Sequence, residues 1–99
     1  MKALTVKRQY AEAIASGAKR VEYRSWPTSH RGDLLITVAK VGGRELAGMA
    51  ICMIRVTDCI KLADGGYAWT LSDPRQIRPF AVRGRLRIFE AADSHRILQ

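Results

Sequence analysis

Two groups of side chains have the types and spacing that chemistry requires. The first is Lys19, Glu22 and Arg24, which follow Gly17 in the segment Lys19-Arg20-Val21-Glu22-Tyr23-Arg24-Ser25. On an extended chain Arg20, Glu22 and Arg24 share one face, while Val21 and Tyr23 share the other. Lys19 lies at the strand mouth, where the chain need not be extended, so its side chain can join the charged face. A carboxylate flanked by cations stays ionised and can hold those cations for a ligand. The same residues also suit a cross-strand salt-bridge network. As a catalytic pair, Lys19 would polarise or deprotonate a substrate and Glu22 would act as partner acid or base.

The second group is Arg83, Arg85 and Arg87. A final strand is expected over Ala81 to Ala91, with Val82, Leu86 and Ile88 on one parity and the three arginines on the other. Their guanidinium groups would then project at about 7 Å intervals, close to the phosphate spacing of an extended single strand. The alternative is an edge strand whose charges protect it from sheet-to-sheet pairing. Trp26 lies beside Pro27 in a loop that also carries His30 and Arg31, where it can stack an unpaired base or pack on the rim of the fold. Trp69 reads as core. Gln9, Tyr10, Tyr23 and His30 are candidate pocket residues, and His30 equally suits a polar loop position.

The charge balance points the same way. Seventeen basic and nine acidic residues in a chain of 99 give +8. The excess is +5 over residues 1–31 and +5 over residues 75–87, with −1 in each of the two remaining stretches. Twelve of the bases are arginine, whose planar fork matches phosphate and stacks on bases. Such a surface suits a polyanion, most simply RNA or single-stranded nucleic acid, and a nucleoside-like small ligand is a further candidate. A composition bias toward arginine on a solvated surface would give the same count.

The elements that must position these residues follow from the apolar pattern. Ala3 to Val6 reads as a strand, and Arg8 to Ser16 as a helix with Tyr10/Ile14 and Ala11/Ala15 at i,i+4 and Gly17 as its stop. Strands are expected over Lys19 to Ser25, Leu34 to Lys40, Leu46 to Cys59 and Tyr67 to Leu71, with a loop at Trp26 to Gly32. Val41-Gly42-Gly43-Arg44-Glu45 is a hairpin connection, and Asp64-Gly65-Gly66 and Ser72-Asp73-Pro74-Arg75 are turns. Ala50, Cys52, Ile54 and Val56 make one inner face. The fold class is α+β: a single domain over 1–99, with a mixed, curled sheet of about six strands or a small β-barrel and one or two short flanking helices.

Several classes lose support. No run of about 18 apolar residues exists, and the first residues lack a secretory apolar stretch, so a cytoplasmic protein with no membrane partner is expected. Neither GxGxxG nor GxxxxGK[ST] occurs. Cys52 and Cys59, seven apart on a strand, would face opposite sides. With His30 and His95 as lone histidines, neither a metal nor a cofactor is expected.

Met1-Lys2-Ala3-Leu4-Thr5-Val6, Arg8-Gln9, Gly17-x-Lys19-x-x-Glu22-x-Arg24-Ser25-Trp26 and Arg31-Gly32-x-Leu34-Leu35-Ile36 stand in that order. They are followed by Val56-Thr57-Asp58-Cys59, Tyr67-Ala68-Trp69-x-Leu71-x-x-Pro74-Arg75 and Arg83-Gly84-Arg85-Leu86. The set resembles the ASCH domain family across nearly the whole chain. The resemblance implies a PUA-like small β-barrel with a cleft carrying Lys19, Glu22 and Arg24, and an association with RNA binding. It also implies that a few relatives are enzymes, ribonuclease behaviour among them. One branch hydrolyses N4-acetylcytidine with a lysine, a threonine nucleophile three residues later and a distant glutamate. Lys19 matches that lysine, but Glu22 occupies the threonine position, so the attacking hydroxyl is missing. Many members also carry Pro after the glutamine, where this chain reads Gln9-Tyr10-Ala11.

Overall fold

A computed structural model describes residues 1–41 and 45–91. The centre of the expected hairpin connection, residues 42–44, and His95 lie outside the described residues. The elements are β1 (Lys2–Val6), α1 (Arg8–Ser16), β2 (Val21–Arg24), β3 (Gly32–Val38), β4 (Met49–Lys61), β5 (Tyr67–Ala81) and β6 (Ile88–Glu90). The strands form one sheet in the order β2-β5-β4-β3-β1-β6, with β1 and β3 parallel and the other pairs antiparallel. The result is the mixed, curled half-barrel with one short helix that the sequence led us to expect.

α1 forms where its apolar spacing predicts. Ala11 and Ile14 are buried, Ala15 packs beside them, and Gly17 ends the helix at φ 85°, its N–H donating to Ile14 O. Tyr10 stays exposed rather than joining Ile14. The helix faces a cluster of Leu4, Val6, Leu34, Ile36, Val38, Cys52, Ile54, Val56 and Trp69. Ala3, Leu35, Ala50, Met53, Phe80 and Phe89 bury the opposite sheet face. β3 is therefore covered on both sides, which is why Leu34 to Val38 is a continuous buried run without alternation. Of the expected inner face, Cys52, Ile54 and Val56 share the helix-side cluster, while Ala50 belongs to the other.

Three expectations change. The Ser72-Asp73-Pro74-Arg75 turn is a bulge: β5 runs on through it, with Arg55 opposite Ser72 and Met53 opposite Arg75. Asp73 takes φ 53°, and Pro74 sits where no ladder donor is needed. On β4, Val56 pairs with Leu71 but Asp58 with Thr70, so Thr57 is an extra residue that reverses parity. Cys59 consequently packs against the same cluster that buries Cys52, not on the opposite side. Both thiols are free, and burial pushes that of Cys52 up to about 12. Finally, the expected strand from Ala81 to Ala91 is only β6; residues 82–87 form an irregular loop. Arg87 adopts φ 59°, which breaks the extended geometry, and Leu86 is 93% exposed instead of sharing an inner face with Val82.

Where the start of β3 crosses the middle of β4 and β5, Arg75 Nη2 donates to Asp33 Oδ1 at 2.8 Å, with Arg55 at 3.9 Å from the same oxygen. The Arg75 hydrogen bond, aided by the charges of Arg75, Arg55 and His30, holds the Asp33 carboxyl below its ordinary 3.8 despite partial burial. A folded-state value lowered in this way gives stability that is full above the unfolded pKa and lost as pH falls through the folded one. Asp33→Asn is therefore expected to be less stable than the parent at neutral pH. The difference in urea midpoint should close as pH drops below about 3.8. A difference unchanged down to about pH 2 would assign the effect to packing rather than to ionisation.

Candidate nucleic-acid interface

The curl brings distant segments together around one cavity of about 590 Å³. Its floor is Leu4 and Thr5 of β1 and Thr37 and Val38 of β3, strands whose parallel register sets Thr5 directly opposite Thr37. The two hydroxyls are hydrogen-bonded at 2.7 Å. One rim is Ala39, Lys40 and Gly48, and the other is the loop 82–87. Gly48 joins the rims, since its N–H donates to Val38 O at 2.8 Å and its carbonyl accepts from Val82 N–H at 3.0 Å. It does so at φ 74°, a conformation that glycine adopts without strain. Arg24, Lys40, Arg83, Arg85 and Arg87 line the cavity, and no carboxylate is among its described lining residues. The two basic segments thus meet in space.

The Lys-Glu-Arg motif faces inward. Glu22, opposite Trp69 in the β2–β5 register, is only 5% exposed. Its Oε2 accepts from Arg24 Nε at 2.8 Å, and its Oε1 lies 3.6 Å from Lys19 Nζ. Arg24 Nη2 donates in turn to Thr5 O at 3.1 Å, across the seam from edge strand β2 to β1. Glu22 therefore aims Arg24 into the cleft, with each of its oxygens facing a cation. Lys19 does not line the cleft. Its ammonium rests 5.1 Å from the Tyr10 ring centroid and 5.4 Å from that of Tyr23, beside a smaller hollow of about 190 Å³ next to Gly17 and Pro74.

A second bridge spans the seam. Trp26 packs edge-on against Trp69 with ring centroids 4.8 Å apart, and the Arg87 guanidinium carbon lies 5.0 Å from the Trp26 centroid. Trp69 is wholly buried, as its strand position suggested, and its Nε1 has no hydrogen-bond partner among the described residues. Trp26 is half-buried, packed between this core and Arg87 of the cleft loop.

The other candidates lie elsewhere. Arg31 is exposed outside the cleft, its Nη1 donating to Thr28 O and His30 O and its Nη2 3.9 Å from Asp58. His30 Nε2 lies 2.7 Å from Asp33 O, pinning the loop to β3. Gln9 lines a separate depression with Lys7 and Arg8, and Tyr23 points outward, 62% exposed. Sequence reasoning missed Thr5, Thr37 and Lys40. Their one signal is a lone polar residue inside or ending an apolar strand run, and only the β1–β3 register turns the two threonines into a pair.

Solved structures similar to this fold carry one family name. The ASCH protein from Zymomonas mobilis superposes with a TM-score of 0.65 at 18% identity, over 81% of this chain and 72% of that one. A tyrosine-to-phenylalanine variant of it gives 0.65 at 18% over 81% and 74%, and a serine-to-alanine variant gives 0.64 at 18% over 81% and 72%. No curated protein sequence matches the chain. The ASCH domain family model matches residues 4–70, from the cleft floor on β1 through the Lys-Glu-Arg motif to β5. The chain belongs to the ASCH domain family.

Proposed function

We propose that the protein binds single-stranded RNA across the cleft. The observation that carries this reading is the gathering of Arg24, Lys40, Arg83, Arg85 and Arg87 around one cavity with no described acidic residue in its lining. Arg24 is balanced by Glu22, whereas the other four have no carboxylate partner among the described residues, repel one another and are relieved by a polyanion. Phosphates sit on the arginines of the loop 82–87 and on Lys40, Arg24 marks the inner end, and Trp26 offers a ring for an unpaired base. With the four phosphate-bearing cations engaged, log affinity should fall against log salt with a slope of about −2.8, roughly −0.7 per neutralised phosphate. Anisotropy of a labelled single-stranded RNA pool, titrated from low to moderate salt, measures it. A slope near zero, or no binding to any pool at low salt, overturns the reading.

The cavity volume favours a second occupant. About 590 Å³ falls within the range of small-molecule sites, so a single nucleoside-like ligand also fits between the threonine floor and the loop. Thermal shifts against a nucleoside panel test this directly.

A further inference from the structure

The geometry points to Arg87 as a specificity-determining residue: it makes the cleft favour bases that arrive attached to a phosphate chain over free bases or nucleosides. The inference rests on the nucleic-acid reading and adds a rule for which ligands can enter. The Arg87 guanidinium lies over the ring of Trp26, 5.0 Å from its centroid, and Trp26 is the residue through which a base would be held. Trp26 cannot swing away to offer a fresh surface, because it is packed edge-on against the fully buried Trp69. A base that takes the face toward the cleft loop must therefore replace the guanidinium. The exchange forfeits a cation–π contact and returns only a stacking contact of similar size.

A ligand that also brings a phosphate changes that balance. The displaced guanidinium sits on an exposed loop, among Arg83 and Arg85 and with no carboxylate among the described lining residues to receive it. A phosphate on the incoming chain supplies the missing partner. Arg87 is held at φ 59°, a conformation uncommon for a side-chain-bearing residue, so the loop is set to place this arginine over the ring. Leu86, the loop's neighbour of Arg87, is 93% exposed, so the left-handed turn here does not serve to bury that side chain.

The test compares adenosine with a short labelled oligoadenylate RNA on the parent, Arg87→Ala and Arg87→Lys, with thermal melting confirming that each variant is folded. In Arg87→Ala, adenosine is expected to bind about two- to fivefold more tightly because the ring is uncovered. The same variant should bind the RNA more weakly, with a salt slope reduced by about 0.7. Arg87→Lys keeps the charge but loses the planar stack, so it should retain the RNA slope while gaining adenosine affinity. Unchanged or weakened adenosine binding in Arg87→Ala, alongside weakened RNA binding, overturns the inference and leaves Arg87 a simple phosphate contact. Absence of RNA binding by the parent at low salt overturns the nucleic-acid reading itself, and this inference with it.

Discussion

Glu22→Ala is expected to destabilise the protein by about 3 kcal/mol, the lower end of the cost of breaking a buried ion pair by removing one partner. The side chains of Lys19 and Arg24 are only 19% and 23% exposed, and both lose their carboxylate in this variant. Neither can be fully rehydrated where it sits, but each keeps enough access to water to hold the cost below the extreme. The loss extends beyond the pair. Arg24 crosses from β2 to Thr5 O, so releasing it loosens one of two side-chain bridges over the half-barrel seam. Glu22→Gln should cost less, since its amide oxygen can still accept the Arg24 Nε hydrogen bond that Ala removes. Urea unfolding of the three proteins checks the order. If Glu22→Ala lies within about 0.5 kcal/mol of the parent, the network is solvated and does not hold β2.

How far the sequence could carry this fold depends on where the deciding force was local. α1 was legible because its apolar spacing and the glycine at its end act within a few residues. β5 was not, because Asp73-Pro74 gives the same local signal for a turn as for a bulge. What keeps the strand going is its long partner β4, which no local pattern announces. The arginine ladder failed for a related reason. Strict alternation holds only while the chain is extended, and one left-handed residue at Arg87 ends it. The motif of Lys19, Glu22 and Arg24 was visible by type and spacing. Its inward direction was not, because hydropathy places the tyrosine, rather than the glutamate, inside. Threonines 5 and 37 became part of the site only through a parallel pairing between strands separated by the helix and β2.

The loss of the ladder geometry does not weaken the role of its residues, and the combined variant Arg83→Ala/Arg85→Ala/Arg87→Ala should show the largest effect on binding. Three of the four phosphate-bearing cleft cations disappear, so the salt slope should fall from about −2.8 to about −0.7 and RNA affinity at about 0.1 M salt by roughly a hundredfold. All three side chains are exposed on a loop outside the sheet, and none of them is in the ion network that holds β2. Stability should therefore change by much less than affinity. The alternative role, charges guarding an edge strand, has lost its premise, since residues 82–87 offer no ladder of strand hydrogen bonds to protect. The two roles still separate cleanly in experiment. A variant that stays monodisperse and loses RNA binding supports the cleft, whereas one that aggregates while retaining both affinity and slope assigns these arginines to solubility. The size of the slope change also says how the loop works. A fall of about 2.1 means that each arginine meets its own phosphate. A fall near 0.7 would mean that only one of them touches the chain while its neighbours supply field, and Arg87→Ala alone should then account for nearly all of it or none.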